Sequence, residues 1–263
     1  MRLNNIMLGS DPELFIVNNK TGKVVSSIGI IPGKKGEAYR SPDMPKGYGL
    51  QIDNILAEFN IPPTSKRIEW IDSMNYMKNY IRDYVKKVNP DYDIMNVSSA
   101  YVDESQLQSE EAKEFGCMPD YNAYTEEENP KPEGERTNLR SSGIHIHMSY
   151  DNPNINTSLE LIKYFDLYLG IPSVVLDPDK ERRKLYGKAG SFRLCPYGFE
   201  YRSLGGYFLC NDEMIDFMWT GAKKAIEAYK LGIQRPSDDT IQSIINNSDV
   251  EKAKVLIEKY NLL

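Results

Sequence analysis

The sequence predicts an α+β fold built on an antiparallel β-sheet, and three observations carry that expectation. Strand-like runs are followed by segregated helical patterns instead of alternating strictly with them, which disfavours a doubly wound sheet. No glycine-rich phosphate loop ending in Gly-Lys-Ser/Thr is present to restore that alternative. Acidic, imidazole and guanidinium side chains recur two residues apart in four runs, mostly with apolar residues between them, and two is the period of a strand.

Taken in order, Glu13–Val17 reads as a strand that turns through Asn18-Asn19-Lys20-Thr21-Gly22-Lys23 into Val24-Val25 as a hairpin. A Gly/Pro/Lys-rich loop covers Pro32 to Gly47. The alternating run Tyr48 to Ile61 reads as one strand stopped by Pro62-Pro63, because proline cannot donate to a ladder. Thr64 or Ser65 then caps a helix to about Val88, with Ile68, Ile71, Met74, Met77, Ile81 and Val85 at helical spacing. Ile94 to Val102 reads as a strand and Glu126 to Glu135 as a charged loop, a candidate lid. Arg140 to Tyr150 is again strand, Leu159 to Leu169 helix, and Lys180 to Leu204 a basic, glycine-containing loop leading into a strand. Asn211 caps a helix to roughly Leu231, and Asp238–Asn246 and Asp249–Tyr260 read as two short helices. Without repeats or a linker, the expectation is a single domain over 1–263 with C-terminal helices from about 211.

Composition narrows the function classes. A net charge of −6 argues against a nucleic-acid partner, whose phosphates would call for clustered cations. No apolar run is long enough to span a bilayer and no signal-peptide pattern opens the chain, so a cytoplasmic protein with no membrane partner is expected. Cys117, Cys195 and Cys210 are odd in number and lack Cys-x-x-Cys spacing, which suggests reduced thiols. The two histidines, His145 and His147, fall in one strand.

Reading alternate positions puts Asn54, Leu56, Glu58 and Asn60 on one strand face, His145, His147 and Ser149 on another, and Glu200 with Arg202 on a third; Asp11 and Glu13 form a fourth such pair. A solvated sheet face is usually rich in Lys, Thr and Ser, whereas these faces carry carboxylates, both histidines and an arginine. Hard divalent cations such as Mg²⁺ take carboxylate oxygens and leave positions for water and substrate phosphates, so Glu13, Glu58 and Glu200 suit a Mg²⁺–nucleotide site to which His145 adds a ligand or a phosphate contact. His-x-His alone also fits zinc, though that metal normally takes three or four closely spaced soft ligands. The stretch Glu181 to Arg193, with Arg183, Lys188 and Arg193, supplies cations for phosphate oxygens and glycines that let backbone approach a ligand.

These segments resemble a known superfamily. Gly143-Ile144-His145-Ile146-His147-Met148-Ser149 is similar to the Gly-x-His-x-His-x-Ser strand of glutamine synthetases, and Ser191-Phe192-Arg193 with Phe199-Glu200-Tyr201-Arg202 resembles their Arg and Glu-x-Arg signatures. Gly9–Phe15, Asp53–Asn60, Gly116–Ala123 and Tyr186–Gly190 resemble the phage-type COOH-NH2 ligases (type 2) of the glutamine synthetase / glutamate-cysteine ligase-like superfamily. The resemblance implies a curved half-barrel sheet with helices on its outer face, ATP and two or more Mg²⁺ ions, and an amide or peptide bond formed between a carboxylate and an amine through an acyl phosphate. For a phage-encoded chain the cytoplasm would be the host's. Carried over by motif, Glu13, Glu58, His145 and Glu200 are implied metal ligands. His147, Arg183, Lys188 and Arg193 are implied nucleotide contacts, and Arg193 and Arg202 hold the phosphate during catalysis. The first motif departs from the pattern, with Asp-Pro-Glu in place of Glu-x-Glu, which leaves the roles of Asp11 and Asp53 and the number of metal ions open. The substrates, small-molecule or peptide, and the oligomeric state are not implied. The alternatives are a phosphotransferase of the guanidino-kinase kind or a non-catalytic binding protein that keeps the fold.

Overall fold

A computed structural model describes residues 3–113, 120–130 and 137–263. Gly116–Pro119 of the loop motif, with Cys117, and residues 131–135 of the candidate lid lie outside them. The sheet is organised around β1 (Met7–Asn18), whose first half pairs antiparallel with β4 (Leu56–Thr64) on one side and β9 (Gly143–Ser149) on the other. Its second half pairs with β2 (Lys23–Val25), as the predicted hairpin requires, and with β5 (Tyr92–Met95). Adding β3 (Gly49–Asp53), β10 (Ser191–Cys195), β11 (Gly198–Gly205) and β7 (Tyr121–Asn122) gives the order β3-β4-β1-β9-β11-β10-β7, an open antiparallel sheet. β6 (Ser99–Tyr101) and β8 (Leu139–Ser141) pair as a separate ribbon.

One face of the sheet is apolar and covered by helices. Leu8, Leu14 and Ile16 of β1, Ala57, Phe59 and Ile61 of β4, Ile144, Ile146 and Met148 of β9, and Phe199 and Tyr201 of β11 are buried in one continuous core. Against them pack α1 (Arg67–Val88) through Trp70, Met74, Met77, Ile81 and Val85, α3 (Ile155–Phe165) through Leu161, Ile162 and Phe165, and α6 (Asp212–Leu231) through Ile215, Met218 and Ala222. The Phe165 ring meets Phe199 and Tyr201 edge-on at 5.4 and 5.5 Å, and Trp70 Nε1 donates to Ile215 O, locking α1 to α6. Short α2 (Glu110–Lys113), α4 (Ile171–Leu176) and α5 (Arg182–Leu185), then α7 (Asp238–Asn246) and α8 (Val250–Tyr260), complete the helices named here. Asn211, Ser237 and Asp249 cap α6, α7 and α8 by accepting backbone N–H bonds; α6 begins at the cap read from the sequence, and α7 and α8 fall on the two runs read as short helices. Among the described residues, no helix is long and apolar enough to cross a membrane.

Several boundaries differ from the sequence reading. The run Tyr48–Ile61 is two strands folded back at Asn54, which adopts φ of 60°, a left-handed conformation that asparagine tolerates. β4 continues through Pro62-Pro63 because its partner β3 stops at the Gly49↔Asn60 pair and the ladder to β1 shifts register between Ser10 and Leu8. An irregular edge needs no N–H from either proline. At the start of α1 the N-cap is Lys66 without a side-chain cap; Thr64 instead accepts from Lys66 N and donates to Glu69. Ile68 faces solvent, 62% exposed, and Trp70 takes the buried position. Ile94–Val102 and Arg140–Tyr150 each break between two sheets, the second at Ser142, whose N–H and hydroxyl bond to Ser98 O and Val97 O. The helix expected at Leu159–Leu169 starts earlier, at Ile155, and runs on through one π turn, Asp166–Gly170, into α4. Pro172 lies at the start of α4, where its missing N–H is tolerated.

Candidate metal and anion site

The other face of the same strands is polar, and register alone assembles it. Directly opposed residues point to the same side of a sheet. The pairs Gln51↔Glu58, Glu58↔Glu13, Asp11↔His145, His147↔Glu200 and Glu200↔Arg193 therefore form rows across β3, β4, β1, β9, β11 and β10. Asp11 and Glu13, two apart on β1, link the rows. Of the residues expected from sequence, this face brings together Glu13, Glu58, His145, His147, Arg193, Glu200 and Arg202.

Two sets of donors converge on it. Oxygens of Glu13, Asp53 and Glu58 lie within 4.8 Å of one another, and so do ligand atoms of Asp11, His147 and Glu200. The first set is all carboxylate, the donor chemistry of a hard divalent cation; the second adds one imidazole, which Mg²⁺, Mn²⁺ or a transition metal accepts. The motif reading left Asp11 and Asp53 without a role, yet both are members. Asp11 carried a visible signal, its two-residue spacing from Glu13, whereas Asp53 reaches the cluster only because the chain reverses at Asn54. His145 belongs to neither set. Its Nδ1 stands 3.2 Å from Asp11 Oδ1 and 3.3 Å from Arg202 Nη1. His147 Nε2 lies 2.8 Å from Asp11 Oδ1, while its Nδ1 meets the Tyr197 hydroxyl at 2.8 Å.

The electrostatics of the two sets differ. Burial first, then the charges of Asp11, Glu13 and Asp53, hold the Glu58 carboxyl well above the usual range although Gln51 Nε2 donates to it at 2.8 Å. Burial likewise raises Glu13, with Asp53 adding to the effect; Glu13 Oε2 accepts one backbone bond, 2.7 Å from Gly143 N. Lys35 offsets part of this charge through Asp53 at 2.6 Å. In the second set neutralisation wins. Burial opposes ionisation of Asp11, but both histidines hold it far below its ordinary value, and Asp11 in turn outweighs burial to raise His147. Burial and Asp11 push Glu200 up, but His147, His145 and Arg202 bring it below the usual range. The Arg202 contact is a 2.8 Å pair between side chains 5% and 6% exposed.

Arginines border this acid field. Arg193 Nε is buried without a hydrogen bond and lies 3.6 Å from Glu200 Oε2, so a donor remains available for an anion. Arg202 Nε sits 3.6 Å from Asp120, whose carboxyl burial raises. Arg182, absent from the sequence-derived set, reaches back from α5 to donate to Ser142 O and Ser203 O; Gly187, at φ of 73°, leaves room because a Cβ there would strike Arg182 Nη1. A cavity of about 50 Å³ lies among Glu13, Asp53, Asp120, His145, Arg182 and Arg202, room for ions and a few waters. On the far side of His147 a larger groove of about 400 Å³, mostly apolar, runs over Met7, Ile61, Pro62, Pro63 and Tyr197. Arg183 and Lys188 are not brought to this face; they line a separate cleft on the helix side.

An open antiparallel sheet with two acid-rich donor sets and flanking guanidiniums defines a candidate site for divalent cations and an oxyanion. Residues 136–247 match the family model of phage phiEco32-like COOH.NH2 ligase-type 2, so the resemblance drawn from the motifs is shown over that segment. The match spans β9, β10 and β11, with His145, His147, Arg193, Glu200 and Arg202, while β1 and β4 lie outside it. Among curated proteins, none matches the chain.

Proposed function

We propose that the chain is an ATP- and Mg²⁺-dependent carboxylate–amine ligase, on a glutamine-synthetase-like half-barrel face, that forms an amide or peptide bond through an acyl phosphate. The observation that carries the reading is the joint presence, on one sheet face, of two three-residue donor sets and the buried Nε of Arg193, which makes no hydrogen bond, beside Glu200. The family description of residues 136–247 supports the ligase class. Divalent cations held by Glu13, Asp53 and Glu58 and by Asp11, His147 and Glu200 would neutralise triphosphate charge and polarise the transferring group. Arg193 supplies a planar donor pair where negative charge spreads during transfer, and Arg202, held by Glu200 and Asp120, fixes the carboxylate geometry around it. His145, between Asp11 and Arg202, positions both. The small polar cavity suits the reacting groups, and the larger groove beyond His147 has the volume for the bulk of a nucleotide. After phosphoryl transfer from ATP to a substrate carboxylate, an amine attacks the acyl phosphate carbonyl and inorganic phosphate leaves.

The test is a Mg²⁺–ATP turnover screen against pooled carboxylates and amines, read by ADP release and product mass. The ligase reading expects sustained ADP release only when both a carboxylate and an amine are present, with a product mass equal to their sum less water. ADP formed with a phosphorylated product and no need for an amine would make the protein a phosphotransferase instead.

A further inference from the structure

Arg183 and Lys188 line an open cleft of about 400 Å³ together with Lys180, Lys184, Asn246 and Ser248. It lies on the helix-covered side of the sheet. Arg202 points to the acid face, whereas the next residue, Ser203, bonds through Oγ to Lys188 O. Neighbouring residues on a helix point about 100° apart, so Arg182 turns to Ser142 O and the polar cavity while Arg183 turns to Ser173 Oγ in α4. The turn from α7 into α8 closes the cleft, tied down by Asn246 Oδ1 accepting from Ala189 N.

Its cations are poorly compensated. Arg183 is 6% exposed, and its Nε is shielded from solvent and meets no acceptor. The nearby acids are engaged elsewhere: Asp177 by Ser98 Oγ and Asp179 N, and Asp179 by Ser99 Oγ and the N–H groups of Glu181 and Arg182. Lys180 donates to Val174 O and Asp177 O, and Lys184 pairs with Glu181. Among the described residues no carboxylate pairs with Lys188, whose ammonium burial and then the Arg183 charge hold below the ordinary value. Asn246, its oxygen taken, has only donors left in its amide. A buried guanidinium and an unpaired ammonium converging on one cleft lack an acceptor with several negative oxygens.

We propose that this cleft is a second anion site, separate from the acid face, that binds a phosphate-class oxyanion between Arg183 and Lys188. The proposal is independent of the ligase reading. Calorimetric titration of inorganic phosphate and of inorganic triphosphate into the full chain, with chelator present, tests it. Wild type binds, triphosphate more tightly if the ligand is a polyphosphate and equally if a single phosphoryl group is recognised. Lys188→Gln, which removes one charge-assisted bond without opening the core, weakens binding by roughly tenfold or more. Lys23→Gln, which removes an exposed lysine of β2 that lines neither site, leaves it unchanged. No binding to wild type, or equal binding to wild type and Lys188→Gln, would overturn the proposal.

Discussion

Replacing Glu58 by glutamine isolates the repulsion that the acid face stores. The carboxyl is 8% exposed and its oxygen lies within 4.8 Å of those of Glu13 and Asp53. Two unit charges at that separation repel by about 3.5 kcal/mol at an effective dielectric of ~20. Burial and this repulsion hold the Glu58 carboxyl well above its ordinary value, which favours its protonated form in the folded protein. The sign follows from proton counts. Above the ordinary carboxylate range the unfolded chain has released that proton and the native state has not, so stability falls as pH rises towards the native value. Glutamine matches the shape and neutrality of the protonated acid and keeps an oxygen to accept from Gln51. In chelator at pH 7.5 the Glu58→Gln protein should be more stable than wild type by roughly 1–3 kcal/mol, and nearly equal at pH 4.5. Urea denaturation at the two pH values measures this. Divalent cation should then stabilise wild type more than the variant. A variant less stable than wild type at pH 7.5 in chelator would refute the reasoning, because it would make Glu58 a partner in a stabilising pair.

Glu200 should behave in the opposite way: Glu200→Ala leaves Arg202 buried without its 2.8 Å partner and should cost about 3 kcal/mol or more even without metal, read by the same denaturation. Asp166, fully buried, has its carboxyl pushed up to about 7 by desolvation against the bonds from Tyr201, Tyr124 and Gly190. Its contribution to stability should therefore fall between about pH 4 and pH 7 by a few kcal/mol, and Asp166→Asn should flatten the stability–pH curve in that window; an unchanged slope would contradict this. Arg193→Lys keeps the charge but loses the planar fork, so single-turnover ADP formation should drop on the order of 10²-fold while Mg²⁺–ATP affinity stays nearly the same. A silent substitution would remove Arg193 from the chemistry.

Much of the site was legible because strand periodicity is local information. His145 and His147 share a face with Ser149, and Glu200 with Arg202, whatever the strand order, so a polar face could be read before any register was known. Long-range pairing is what the sequence left hidden. Asp53 enters the acid cluster only through the reversal at Asn54, and a run read as one strand gave no hint of it. Pro62-Pro63 marked an end that the bulged ladder to β1 does not obey. Arg182 and Arg183 are adjacent and chemically identical, and only the short helix that holds them decides that one faces the polar cavity and the other the helix layer. The helix cap at Asn211 was readable because a cap is a contact within four residues.

Divalent cations on the acid face should bridge the protein to ATP, and calorimetry of ATP binding to the Lys188→Gln protein, in which the helix-side cleft is weakened, reads that bridge on the acid face. With Mg²⁺, saturable binding is expected, and it should be lost in chelator, because without a cation the carboxyl-lined face has nothing to bridge it to the triphosphate. Equal ATP affinity with Mg²⁺ and with chelator would contradict it.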